Sequence, residues 1–202
     1  MMLKSDKIAE RIDQAVDPLY IIPKPEPAFK DSGDASLELR LGTWFLALRH
    51  SRTAYLEIPT KDSVASFDPE RRMTRGSYAY VPFGKEYVLH PQTFVLGTTL
   101  EWLRFPVKLG GYVIGKSSLG RHGLIIATAT GVHPGFIGCL TLELANVGAI
   151  PIALRPGMKI CQLFFHEVIS DTDTINKSSF SGKRKPTLSP IKLDDRAEKL
   201  AR

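Results

Sequence analysis

The chain has 202 residues, 43% of them hydrophobic, with a formal net charge of +6 and a pI of about 9.3. This suffices for one soluble domain with a sizeable core, and the positive charge suits an anionic partner without saying which. No apolar stretch approaches the about 18 residues a membrane-spanning helix needs, and the two cysteines, Cys139 and Cys161, are not spaced as a metal knuckle.

Met1-Met2-Leu3-Lys4-Ser5-Asp6 leads into a charged, amphipathic segment and not into an apolar signal core, so the expectation is a reduced, cytoplasmic setting with both cysteines as small core residues. Residues 4–17 (KSDKIAERIDQAVD) predict a short helix capped by Ser5 or Asp6, with Ile8, Ile12 and Val16 one turn apart. Pro23, Pro25 and Pro27 then forbid a helix interior, and residues 20–34 are expected to be extended. In SLELRLGTWFLAL the period changes to two at Leu37, Leu39 and Leu41, the pattern of a half-buried strand. Residues 59–76 read as a polar excursion. Short strands follow at residues 78–81, 87–89, 93–99, 112–114, 123–129, 138–146, 152–154 and 160–168, with breaks between them, including one at 108–111. Many short strands at this spacing predict a mainly β fold: a barrel, jelly roll or sandwich.

Residues 170–202 are polar, basic in the middle and poor in apolar side chains. The domain is therefore expected to end near residue 169, with a basic C-terminal tail beyond it. Two readings of the tail stay open: a frayed end, or a lid that orders over an anion, with Lys183, Arg184 and Lys185 as its charge and Gly182 as its flexible point.

The stretch GKSSLGRHG, residues 115–123, gathers small donors and cations between two predicted strands. Gly115 lets a ligand approach the backbone, Ser117 and Ser118 offer hydroxyls, Lys116 and Arg121 offer charge, and the amides are free to face a ligand. It lacks the spacing of a P-loop. An anion cradle and a decorated surface turn both fit these residue types. In GCLTLELANVG, alternation puts Thr141, Glu143 and Ala145 on one face. Glu143 is then either an exposed strand carboxylate or a partly desolvated one, pushed toward the range of a general base. His133 lies beside a Pro-Gly turn, where a lone histidine is more often structural than catalytic, and His50, His90, His122 and His166 form no metal-spaced pair. The zinc deaminase signature, the G-x-S-x-G elbow and a G-x-G-x-x-G after a strand are all missing, so zinc hydrolysis and dinucleotide redox chemistry have no foothold.

Taken in order, PKPEPAF with SLELRLGTWF, YVLHPQTFVLGTTLEWLRFP, GKSSLGRHGL, HPGFIGCLTLELAN, ALRPGMKICQLFF and SSFSGKRKPTLS cover most of the chain. Together they resemble the dCTP deaminase and dUTPase superfamily, and its deaminase branch more closely. The resemblance implies a distorted β-barrel or jelly-roll subunit of the dUTPase-like (β-clip) type, in a homotrimer with active sites at subunit interfaces. It implies a nucleoside triphosphate substrate carrying Mg2+ on its phosphates, no zinc, and hydrolytic deamination of dCTP or a related deoxycytidine nucleotide to dUTP and ammonia, a supply of uracil deoxynucleotide for dTTP synthesis.

Carried over, Glu143 is the general base, and Ser117 and Arg121 position the water and stabilise charge at the reacting centre. Lys116 and Ser118 hold phosphates, and Thr141 sits near base or sugar. Leu119, Gly120, Leu142 and His133 join the substrate-binding set, and the tail with Lys183 closes over the triphosphate. The chain departs from the family at several of these places. His133 stands where the family has an acidic residue that meets the sugar 3′-hydroxyl in deaminases and the nucleophilic water in dUTPases; a histidine bonds a hydroxyl but is not a permanent anion. Lys116 replaces a usual arginine, which keeps the charge and loses the bidentate fork. Ser179 and Phe180 replace Lys-Tyr, and Lys183 replaces Gln. These departures leave two alternatives beside the deaminase: a non-catalytic nucleotide-binding or regulatory homologue, and a bifunctional deaminase and dUTP pyrophosphatase. Nucleic acid has no stacking platform or groove-reading motif in its favour.

Overall fold

The computed structural model describes residues 1–48, 76–129, 131–175 and 181–188. The expected polar excursion at 59–76 lies outside these residues, apart from Gly76.

Helix α1 (Ser5–Asp13) is shorter than the predicted 4–17, because Gln14 already has extended backbone. Neither Ser5 nor Asp6 caps it; Lys4 occupies the cap position without a side-chain bond. Ser5 is buried instead, and its Oγ donates to the Lys30 carbonyl at 3.0 Å and accepts the Gly33 N–H at 3.1 Å. The hydroxyl expected to cap the helix thus docks it on the loop after Phe29. Ile8 enters the core and Ile12 packs against it, while Val16, past the helix end, is 75% exposed. Strand β1 (Tyr20–Ile22) follows as expected, but Pro27 starts a 3-10 turn (Pro27–Asp31) inside the segment expected to be extended, a position where its fixed φ favours a helical start.

The run SLELRLGTWFLAL forms two strands, β2 (Leu37–Arg40) and β3 (Trp44–Leu48). Gly42 divides them: it is buried, its N–H donates to the Thr98 carbonyl at 2.7 Å, and a Cβ there would lie 2.9 Å from Thr98 Oγ1. The remaining strands are β4 (Gly76–Tyr80), β5 (Tyr87–Leu89), β6 (Phe94–Arg104), β7 (Leu109–Gly115), β8 (Leu124–Ile126), β9 (Gly131–Val132), β10 (Ile137–Asn146), β11 (Ile152–Leu154) and β12 (Lys159–Glu167), with a single helical turn, α2 (Ser117–Gly120), after β7. Two differ instructively from expectation. β6 continues past residue 99 through Glu101, a buried carboxylate that accepts from the Arg40 backbone N–H at 2.8 Å and from Arg40 Nε at 2.7 Å. β7 begins inside the break expected at 108–111, because Gly110 and Gly111 serve close strand approach; a Cβ on Gly111 would meet the Phe164 carbonyl at 2.7 Å.

The strands make three sheets. One has the order β4-β3-β6-β10-β8, with β1 added to β6; a second has the order β2-β12-β7-β9; the third is the pair β11-β5. The mainly β fold expected from the sequence is the fold observed, as separate sheets and not a closed barrel among the described residues. Phe45, Phe105 and Phe165 fill the core, with the Phe105 and Phe165 rings stacked 5.5 Å apart. Cys161 lies in that core, where burial pushes its thiol up to about 12 and leaves it unreactive. Cys139 is half-buried.

Asn146, at the end of β10, is fully buried. Its Nδ2 donates to the Leu89 and Ile150 carbonyls at 2.9 and 2.8 Å, and its Oδ1 accepts the Gly148 N–H at 2.9 Å. Asn146→Ala removes the partner of three backbone groups, of which the bond to the Leu89 carbonyl is buried, so urea denaturation is expected to show a loss of about 1–3 kcal/mol; an unchanged midpoint would contradict this bonding.

Candidate functional site

Strand β10 alternates along its length: Leu140, Leu142 and Leu144 enter the core, while Thr141, Glu143 and Ala145 face the other way and are half-buried. Leu142 is fully buried and pairs with Gly97 of β6, so neither its side chain nor its position in the sheet faces outward. Registry places Glu143 opposite Leu96, Leu96 opposite Leu46, and Leu46 opposite Tyr78, one row across four strands. Thr141 stands opposite the buried Thr98, and Trp44 opposite Tyr80. Glu143 therefore shares its sheet face with Leu96, Leu46 and Tyr78, and the residue is half-buried.

Its backbone is held on the opposite side from β6. The Glu143 N–H donates to Thr128 Oγ1 at 2.9 Å, and the Glu143 carbonyl accepts the Ala127 N–H at 2.9 Å. Thr128 was not legible as a site residue, because it lies in the loop between Arg121 and His133 where no spacing marks it.

The turn at residues 115–123 packs beside β8, and β8 pairs with residues 144–146 of β10. The Lys116 carbonyl accepts the N–H groups of Leu119 and Gly120, and the Ser117 carbonyl accepts that of Arg121, each at 3.0 Å. The His122 and Gly123 amides bond back to the Leu119 and Gly120 carbonyls. Five amides expected to face a ligand are thus bonded within the turn. What the turn presents outward is the exposed residues Ser117, Ser118, Arg121 and His122; Leu119 is tucked against the core and Gly120 is half-buried. Gly123 joins the turn to β10: at φ +91° its missing Cβ would lie 2.6 Å from the Gly148 nitrogen, and its carbonyl accepts the Val147 N–H at 2.9 Å.

Lys116 is not free. Its ammonium pairs with Glu38 on β2, and Lys159 on β12 pairs with the same carboxylate. The hydrogen bond from Lys116, and then that from Lys159, hold the Glu38 carboxyl below the usual carboxylate range. Because its folded value is depressed, the stability Glu38 contributes is complete above the ordinary carboxylate range and is lost as pH falls through the lowered value. His133 is exposed in the turn after β9, with its carbonyl accepting the Phe136 N–H at 3.2 Å.

The described part of the tail docks on this same chain. The Gly182 N–H donates to the Ile137 carbonyl at 2.7 Å, and the Cys139 N–H donates to the Lys183 carbonyl at 2.9 Å, so the tail adds itself along the start of β10. Gly138 permits this, since a Cβ there would come 2.7 Å from the Lys183 carbonyl. Lys185 Nζ then lies 3.8 Å above the Trp44 ring, and the Tyr78 hydroxyl donates to the Pro186 carbonyl at 2.9 Å. Both aromatic residues belong to the sheet face that carries Thr141 and Glu143. Lys183 contributes backbone here, and its side chain is exposed. Among the described residues no three His, Cys, Asp or Glu side chains gather as metal ligands, and no helix is long and apolar enough to cross a membrane.

Strand order, the turn beside β8 and the carboxylate of β10 define a class, and comparison with known proteins defines the family. Residues 2–168 match the family described as dCTP deaminase-like, and the chain belongs to it. It is 38% identical over 199 residues to the dUMP-forming dCTP deaminase of Dictyoglomus turgidum, covering 96% of each chain. It is 37% identical over 199 residues to the dCTP deaminase of Natronomonas pharaonis, again covering 96% of each. The crystal structure of 2′-deoxycytidine 5′-triphosphate deaminase from Agrobacterium tumefaciens superposes with a TM-score of 0.57 at 22% identity, covering 83% of this chain and 48% of that one, so this chain spans about half of its length and shares its fold.

Thr128→Val removes the acceptor beneath Glu143 and leaves that N–H unpaired, at about 1–2 kcal/mol. Amide exchange at Glu143 is expected to accelerate in this variant and to return to the native rate in Thr128→Ser, which keeps the hydroxyl; equal rates in Val and Ser variants would contradict the contact.

Proposed function

We propose that this chain removes the exocyclic amine of dCTP, or of a related deoxycytidine nucleotide, by hydrolysis, with Glu143, Ser117 and Arg121 as its catalytic residues. The observation that carries this reading is Glu143 itself: a half-buried carboxylate on a strand pinned by Thr128, in a chain that matches named dCTP deaminases over 96% of its length. In the reaction, the oxygen of water bonds to C4 of cytosine. Glu143 takes the first proton of that water and delivers it to ring N3. The second proton passes to the amine, the C4–N4 bond breaks, and ammonia leaves the uracil nucleotide. Ser117 aims the water, and the Arg121 guanidinium stabilises charge at the reacting centre.

In this reading the triphosphate arrives as its Mg2+ complex, with the Ser118 hydroxyl near the phosphates, Leu119 and Gly120 shaping the turn that carries it, and Thr141 and His133 near base and sugar. Residues 1–169 form the catalytic domain, and the tail from residue 170 closes over the nucleotide with Lys183. The exposed turn and the half-buried β10 face fit sites completed between subunits of a homotrimer. The setting is cytoplasmic nucleotide metabolism, where the product feeds dTTP synthesis.

A second reading, in which the same chain also splits dUTP to dUMP and pyrophosphate, is favoured by the dUMP-forming name of the Dictyoglomus turgidum relative. His133 stands against it, since an imidazole replaces the permanent anion that would activate the water.

Incubation with dCTP and Mg2+, resolved by chromatography, tests the reading. The native protein is expected to release ammonia and dUTP, and Glu143→Gln to be at least about 100-fold slower. Release of dUMP and pyrophosphate from dCTP establishes the second reading. Saturable dCTP binding with no turnover of any cytosine nucleotide overturns both and leaves a non-catalytic homologue.

A further inference from the structure

The turn that carries Ser117 and Arg121 is one helical turn long, too short to hold itself in water. Its anchor has to come from outside. Lys116 occupies its N-cap position, and the Lys116 carbonyl accepts two of its amides, so any displacement of Lys116 carries the turn with it.

The side chain of Lys116 reaches across the sheet. β2 and β7 are not neighbours; β12 runs between them. Registry sets Glu38 opposite Gln162 and Gln162 opposite Ile114, with Lys116 two residues further along the chain. The Glu38 and Lys116 contact therefore ties β2 to the exit of β7 over the top of β12. The Lys116 side chain is only 22% exposed and that of Glu38 31%, whereas Lys159, which takes the other carboxylate oxygen, is 63% exposed. The sheltered link is the one to the turn. β2 is itself fixed two residues further on, where Arg40 is bonded through backbone and guanidinium to the buried Glu101.

We infer that Glu38 is a positioning residue for the turn bearing Ser117 and Arg121, bracing it through Lys116, so that Lys116 acts on the turn and not on the phosphates. This rests on the deaminase reading for its catalytic consequence, though not for the brace itself. The lowered titration range of Glu38 agrees, because its first cause is the hydrogen bond from Lys116, which favours the charged carboxylate.

The test compares the native chain with Glu38→Gln, Lys116→Gln, the double variant and Lys159→Gln. Amide exchange at Leu119, Gly120 and Arg121 is expected to rise about threefold to fivefold in both Glu38→Gln and Lys116→Gln, with no further rise in the double variant and little change in Lys159→Gln. With dCTP, the first two variants are expected to lower kcat by a common factor and leave KM within about twofold. Unchanged exchange at the turn, with Lys116→Gln raising KM while Glu38→Gln is silent, overturns the brace and returns Lys116 to the phosphates. A native chain without turnover sinks the deaminase reading alone, because the exchange rates still decide the brace.

Discussion

Leu140, Leu142 and Leu144 bury themselves in the core, and the two-residue period of a strand then leaves Thr141 and Glu143 no choice of direction. Everything else around the site is arranged about that division. On one side of β10, β6 supplies Leu96 and Thr98, so the outward face is apolar around the carboxylate. On the other, Thr128 and Ala127 hold the Glu143 backbone, and β8 connects the strand to the turn at 115–123. A one-residue slip would exchange the leucines for the carboxylate, at the cost of a buried charge, so core packing and site geometry are the same constraint seen from two faces.

The tail makes use of the same face. By pairing with residues 137 and 139 and resting Lys185 on Trp44, it covers ground between the start of β10 and the aromatic residues of β3 and β4. Among the described residues its hold there includes two backbone hydrogen bonds, a cation over a ring and one tyrosine hydroxyl, each modest in water. Gly138 makes the close approach possible, and its left-handed φ of +133° admits little else, while Gly182 serves only a left-handed turn at φ +79°.

Much of this was legible in the residues. β5 and β11 fall where alternation and turn signals place them, and β10 begins one residue before its expected start. The order of motifs was sufficient for the family. What was not legible depended on tertiary contact. Ser5 looks like a helix cap and is a docking hydroxyl; Gly110 and Gly111 look like a turn and are strand residues pressed against β12. Lys116 reads as a free cation until Glu38, distant in the chain, is seen beside it. Local sequence carries period and turn chemistry, but not the partner that a side chain meets across a sheet.

The central claim, that the nucleotide reacts on the outward face of β10, is tested most directly by a crystal structure of the Glu143→Gln protein with dCTP and Mg2+. The account predicts cytosine C4 beside the residue 143 amide, with Ser117 and Arg121 around it. A cytosine ring bound away from β10, with its triphosphate elsewhere than the 115–123 turn, would contradict it.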